Sequence, residues 1–231
     1  MHTPRSPDMT TLNFRDQKLT DAELDTELQI LETYMWVEEL ELSGNRLTYV
    51  PDLTRYIQFR HLKRLNLSQN NIKTLTVGHI PPTCEILWSN GNQISDVPDM
   101  RPLTRLDRLD LLSNKIEHLP PSHLPSSLTS LRIAYSRLTD IGDLSHLTKL
   151  SALFLVDNPI TTIAGLPNSL IILNAKGVRV RVLGEKCFGE KTYQLLKEKL
   201  NTGALIEPPL RVFHTGLSDV KNYFEQQQQA G

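Results

Sequence analysis

Cysteine is nearly absent. Cys84 and Cys187 are the only two in 231 residues, too few for a disulfide framework, and the expectation is a reducing, cytoplasmic compartment. No run of 18 apolar residues occurs, so no segment reads as a membrane-spanning helix. The opening MHTPRSPDMT lacks the apolar core of a secretory signal. An excess of one charge is missing too. Lys plus Arg number 25 and Asp plus Glu 26, a net charge of −1, which gives no footprint for nucleic acid and no pull toward anionic membrane.

Catalytic signatures are equally scarce. There is no G-x-S-x-G, no H-E-x-x-H and no Cys/His pair in a recognisable setting. GEKCFGEKT at 184–192 approaches a phosphate-binding loop, but Glu190 stands where the lysine should follow glycine. The seven histidines have no metal-ligand spacing, and His118 and His123 fall in a Pro-rich loop where solvated side chains are expected. The expectation is a non-enzymatic chain without metal or cofactor.

What is present is a repeat. LNFRDQKL begins at Leu12, LELSGNRL at Leu40, LNLSQNNI at Leu65 and LWSNGNQI at Leu87. LDLLSNKI follows at Leu109, LRIAYSRL at Leu131, LFLVDNPI at Leu153 and LNAKGVRV at Leu173. The spacings are 28, 25, 22, 22, 22, 22 and 20 residues. An apolar residue also stands three positions before each start: Met9, Val37, Leu62, Cys84, Leu106, Leu128, Leu150 and Leu170. No unit this short closes a core alone, but stacked units place their leucines in one column. The strands then form a parallel sheet, about 4.8 Å per coil.

After each strand the chain must turn inward. A short amide at that point can satisfy the freed backbone groups. Asn45, Asn70, Asn92, Asn114 and Asn158 occupy the position. Gln17, Ser136 and Val178 replace them elsewhere, and Val178, unable to bond, predicts an irregular eighth coil. Thr20-Asp-Ala-Glu23 is a capping box, so a helix should begin there with Leu24, Leu28 and Leu31 on one face. The second coil has room for a shorter helix around Tyr56, Ile57 and Phe59; the 22-residue coils admit only extended or 3₁₀ backbone.

This pattern resembles the leucine-rich-repeat family, L-x-x-L-x-L-x-x-N-x-L, over about residues 9–183. The resemblance implies an α/β right-handed solenoid of about eight coils, a parallel concave sheet and helical end caps. Residues 1–8 are expected to be a disordered tail, 184–225 a C-terminal cap and 226–231 a tail or the start of a linker. In the cap, GEKTYQLLKEKL turns Tyr193, Leu196 and Leu200 inward, and SDVKNYFEQ packs Val220, Tyr223 and Phe224. HLPPSHLPSSLTSL is similar to bacterial effector repeats, LTDIGDLSHLTKLSAL to internalin-type or phosphatase-regulator repeats, and PPLRVFHTGLSDVKNYFEQ to the segment closing the repeats of Roco-type and related scaffolds.

The residue between the paired leucines should project from the sheet, since strand side chains alternate. In the fourth to seventh coils that face offers Trp88, Leu112, Tyr135, Phe154 and Val156 among Arg108, Asp110 and Arg132. Aromatics ringed by arginine match the composition of interface hot spots. A sheet surface of strand-forming residues, or stacking of single-stranded nucleic acid on Trp88 and Phe154, are the rival readings, and the charge balance disfavours the second. The expected function is binding of a protein partner on the concave face by a chain that is monomeric on its own. The alternative is the sensor or scaffold region of a larger signalling enzyme such as a Roco-like GTPase.

Overall fold

The computed structural model describes residues 10–30, 36–199, 208 and 210–229. The tail expected at 1–8, and the inward roles expected for Leu31 and Leu200, lie outside them.

The paired-leucine segments form short strands: β1 (Thr11–Asn13), β2 (Glu39–Glu41), β3 (Arg64–Asn66), β4 (Ile86–Trp88), β5 (Arg108–Asp110), β6 (Ser130–Arg132) and β7 (Ala152–Phe154). After β8 (Thr162–Gly165) come β9 (Ile172–Asn174) and β10 (Val182–Lys186). β1 to β7 and β9 build one eight-stranded parallel sheet in chain order. Leucine faces leucine at every step, from Leu12–Leu40 to Leu153–Leu173. Eight strands joined by about seven turns make the solenoid. The leucines are buried, as are Val37, Leu62, Cys84, Leu106, Leu128, Leu150 and Leu170 three positions before the starts. Each such leucine contributes about 2 kcal/mol of burial.

All five ladder asparagines are buried. Asn114 shows the pattern: its Nδ2 donates to the carbonyls of Ser89 and Leu111 at 2.9 and 3.0 Å, and its Oδ1 accepts from the Ile94 amide at 3.0 Å. The side chain thus fastens one coil to the one before it. Ser136 fails in this role, its buried Oγ having no partner. Val178 does not make its coil irregular. β9 keeps full register with β7, and the turn closes through the Val178 amide on the Ala175 carbonyl at 3.1 Å.

The coils alternate between two kinds. In the second, fourth and sixth, an aspartate folds the return by accepting an amide two residues on: Asp52 from Thr54, Asp99 from Arg101, Asp143 from Ser145. In the third, fifth and seventh, a hydroxyl reaches a carbonyl of the preceding coil: Thr83 to Leu62, Ser127 to Leu106, Ser169 to Leu150. His79 and His123 also bond there, Nδ1 meeting the Val50 and Val97 carbonyls at 2.8 and 3.0 Å. His123 is therefore a half-buried tie and not a solvated loop histidine; His118 is exposed, as expected.

Before the ladder position every coil takes a positive φ, at Asp16, Gly44, Gln69, Gly91, Ser113, Tyr135, Asp157 and Gly177. Odd coils carry a side chain and even coils a glycine, with one exception, Tyr135. A Cβ on Gly44 would strike the Asp16 carboxylate, and one on Gly91 the Gln69 amide.

The first end is braced by α1 (Asp21–Ile30), where Thr20 and Glu23 bond reciprocally at 2.8 and 3.4 Å and Leu24 and Leu28 are buried. The second coil holds two 3₁₀ turns, Leu53–Arg55 and Ile57–Phe59, with Phe59 buried and Ile57 exposed. At the other end β8 and β10 form a second small parallel sheet that the repeat pattern does not foretell. Beyond it lie α2 (Glu190–Lys199), α3 (Leu210–Thr215) and α4 (Leu217–Gln229). Phe188, Tyr193, Phe213 and Phe224 pack ring against ring, and the Tyr193 hydroxyl donates to the Phe213 carbonyl at 2.6 Å. Val220 is buried, Tyr223 and Phe224 are half-buried, and glutamines 226–229 form the last turn of α4.

Candidate functional site

The sheet face turned away from the leucine column carries a groove of about 440 Å³. Trp88, Arg108, Asp110, Arg132 and Phe154 line it, with Thr129, Ser130, Ser151 and Ala152. Strand register places them: Trp88 pairs with Asp110, Asp110 with Arg132, and Arg132 with Phe154. Five of the eight residues singled out in the sequence thus share one site.

Inside it the contacts are specific. The Arg132 guanidinium carbon sits 5.0 Å from the Phe154 ring centre, and its Nη1 meets the Asp110 Oδ2 at 3.3 Å. Asp110 also accepts the Leu112 amide at 3.1 Å. The expectation that Asp110 projects freely needs correction: it is 8% exposed, held down by these two bonds. Its role is to fix Arg132. Arg108 stands beside them with 64% of its side chain exposed, its one ion pair among the described residues being with Asp107 at 3.3 Å.

Leu112, Tyr135 and Val156 do not line the groove. They belong to the turns just beyond the strands, and Leu112 and Val156 are half-buried. Ala134, which holds the position of Leu112 and Val156 in the sixth coil, is buried. Tyr135 is 53% exposed at φ 52°, where the even coils otherwise use glycine. A bulky residue held there costs on the order of 1 kcal/mol. Its neighbour in the preceding coil, Ser113, is the smallest side chain in that row.

Neither cysteine offers a reactive thiolate. Both are buried, and burial pushes the Cys84 thiol to about 12 and Cys187 upward as well. Among the described residues no group of three His, Cys, Asp or Glu side chains is arranged to hold a metal ion, and no helix is long and apolar enough to cross a membrane.

Sequence missed Ile171, exposed just before the last strand of the sheet, and the exposed Trp36, which stacks on His61 at 5.0 Å beneath Arg60. Ile172 was legible as a residue of the open face, but the exposure of β9 was not.

Two family models described as leucine-rich repeat match residues 104–160 and 61–87. No curated protein matches the chain in sequence. A leucine-rich-repeat protein of Leptospira interrogans is similar in structure, with a TM-score of 0.67 and 22% identity over 93% of this chain and 59% of its own. The effector YopM of Yersinia pestis has a TM-score of 0.62 and 26% identity, covering 76% of this chain and 45% of its own. Internalin C2 of Listeria monocytogenes gives 0.58 and 23%, covering 86% and 79%. The chain therefore spans less than two thirds of the Leptospira protein and of YopM. Leucine-rich repeats commonly serve as protein-interaction modules. From its stacked leucines, asparagine ladder and matching repeat models, the chain is a leucine-rich-repeat protein.

Proposed function

We propose that this chain is a non-enzymatic recognition module that binds a protein partner on the open face of its sheet, centred on Trp88, Arg132 and Phe154. One observation carries the reading. Four successive strands bring a half-buried aromatic at each end and two arginines between them into a single groove. Trp88 and Phe154 are three strands apart, about 14 Å, well inside a standard interface of roughly 800 Å² per side. Large aromatics and arginine are the residue types that dominate binding energy. Buried, unpaired thiols suit a reducing, cytoplasmic setting.

The test is quantitative affinity capture from native lysate with the full chain and its Trp88→Ala, Phe154→Ala variant. A protein retained by the first and lost by the second supports the groove. A partner retained equally by both moves the site elsewhere.

A further inference from the structure

Charges on the open face are arranged differently along its length. At the first three strands they are matched: Glu38 meets Lys63 and Glu39 meets Arg64, each at 2.9 Å, and Asn66 donates to Glu41 at 2.8 Å. In the groove, the one lining acid, Asp110, is engaged by Arg132 and the Leu112 amide. Arg132 is engaged by Asp110 and Phe154. Arg108 is engaged at one edge only, its Nε reaching the Asp107 Oδ2 at 3.3 Å. The two terminal nitrogens of Arg108 have no partner among the described residues.

The groove's most exposed charge is therefore positive, with 64% of the Arg108 side chain exposed against 46% for Arg132, on a planar fork suited to a carboxylate. Glu85 and Asp107, immediately preceding the groove's strands, and Asp110 within it, oppose a doubly charged phosphate or a nucleic-acid backbone. Beside the fork stand Trp88 and Phe154, and a cavity of 440 Å³ accommodates side chains, not a whole domain face.

Resting on the reading of the groove as a partner site, we infer that it takes an exposed segment of a partner protein bearing an acidic residue next to a large apolar one. The carboxylate pairs with Arg108, and the apolar side chain lies between Trp88 and Phe154.

The experiment is selection of random phage-displayed peptides on the full chain. Binding of the selected peptides is then measured to wild type, to Arg108→Glu and to the Trp88→Ala, Phe154→Ala variant, with thermal melts confirming that both fold. Enrichment of Asp or Glu adjacent to Phe, Leu or Trp is expected. Arg108→Glu should weaken binding about tenfold or more, with recovery when the peptide's acid is changed to lysine. Peptides that need Trp88 and Phe154 but ignore Arg108→Glu overturn this inference and leave the groove standing. Peptides indifferent to all three substitutions overturn the groove as well. A selection without enrichment also rejects segment recognition.

Discussion

Arg132 lies across Phe154, guanidinium carbon to ring centre 5.0 Å, with Asp110 holding it from the opposite strand. The pair is preorganised in the free protein, so little ordering cost remains for binding. Truncating Phe154 or Trp88 to alanine removes a side chain outside the leucine column. Chemical unfolding should shift by less than about 1 kcal/mol. Partner affinity measured by calorimetry should fall by about 2 kcal/mol or more. Arg132→Ala should follow the same pattern, whereas Asn13→Ala and Asn174→Ala should leave both unchanged.

Ser136 is a natural defect in the asparagine ladder. In its coil the Leu111 and Ile133 carbonyls and the Ile116 amide occupy the places that an asparagine serves elsewhere. Ser136→Asn should therefore stabilise the fold by about 1 kcal/mol in denaturant titration. The reverse change at a working rung, Asn114→Ser, should cost about 1–3 kcal/mol. A destabilised Ser136→Asn protein would show that the turn has shifted to suit serine.

Tyr135 should trade stability for contact. Glycine at this positive φ relieves roughly 1 kcal/mol of strain, partly offset by the freedom glycine gains when unfolded. Tyr135→Gly should melt slightly higher than wild type. If the exposed ring also touches the partner, affinity should drop in the same variant.

The C-terminal cap is held by rings around Phe213, which is fully buried. Phe213→Ala should cost about 3–5 kcal/mol. Because each coil contacts only its neighbours, that loss exposes the last coil and should broaden the thermal transition. Truncation after Leu183 should aggregate; a soluble truncation of undiminished stability would deny the helices their capping role.

Acid should loosen the junction between the sixth coil and β10. Burial raises the pKa of Asp143, but the Lys186 ammonium at 2.7 Å and the bonds from Ser145 outweigh it and hold the carboxyl at about 2. The group is lowered relative to the unfolded chain, so its contribution is present above about pH 4 and fades as pH falls toward 2. Melting temperature followed from pH 5 down to about 2 should fall less steeply in Asp143→Asn than in wild type. Parallel curves for the two proteins would remove the ion pair from any role in stability.

The strands were legible because leucine spacing dictates them, and the capping box gave α1 for the same local reason. The site was legible only in part. Alternation along a strand puts Trp88, Arg108, Asp110, Arg132 and Phe154 on one face, yet it is silent on neighbours, so Asp110 read as exposed when Arg132 and the Leu112 amide cover it. Past the strand the two-residue period ends, which is why Leu112, Tyr135 and Val156 were placed too near the groove. β8 and β10 pair across a return segment, a contact between coils that no single-coil pattern contains. Val178 was misjudged because a backbone bond can close a turn where a side chain cannot.

The glycine of the fourth coil has a wider meaning. Gly91 leaves room for Gln69 below it, and the fifth coil returns to a side chain at Ser113. Aligning single coils hides that the true module is two coils, an Asp-folded return followed by a hydroxyl-tied one. Excising the fourth coil alone would set Gln69 against Ser113 and put two hydroxyl-tied returns side by side. Excising the third and fourth together would keep the alternation, since Gly44 would then meet Ser113. The array is built to lengthen or shorten by doublets.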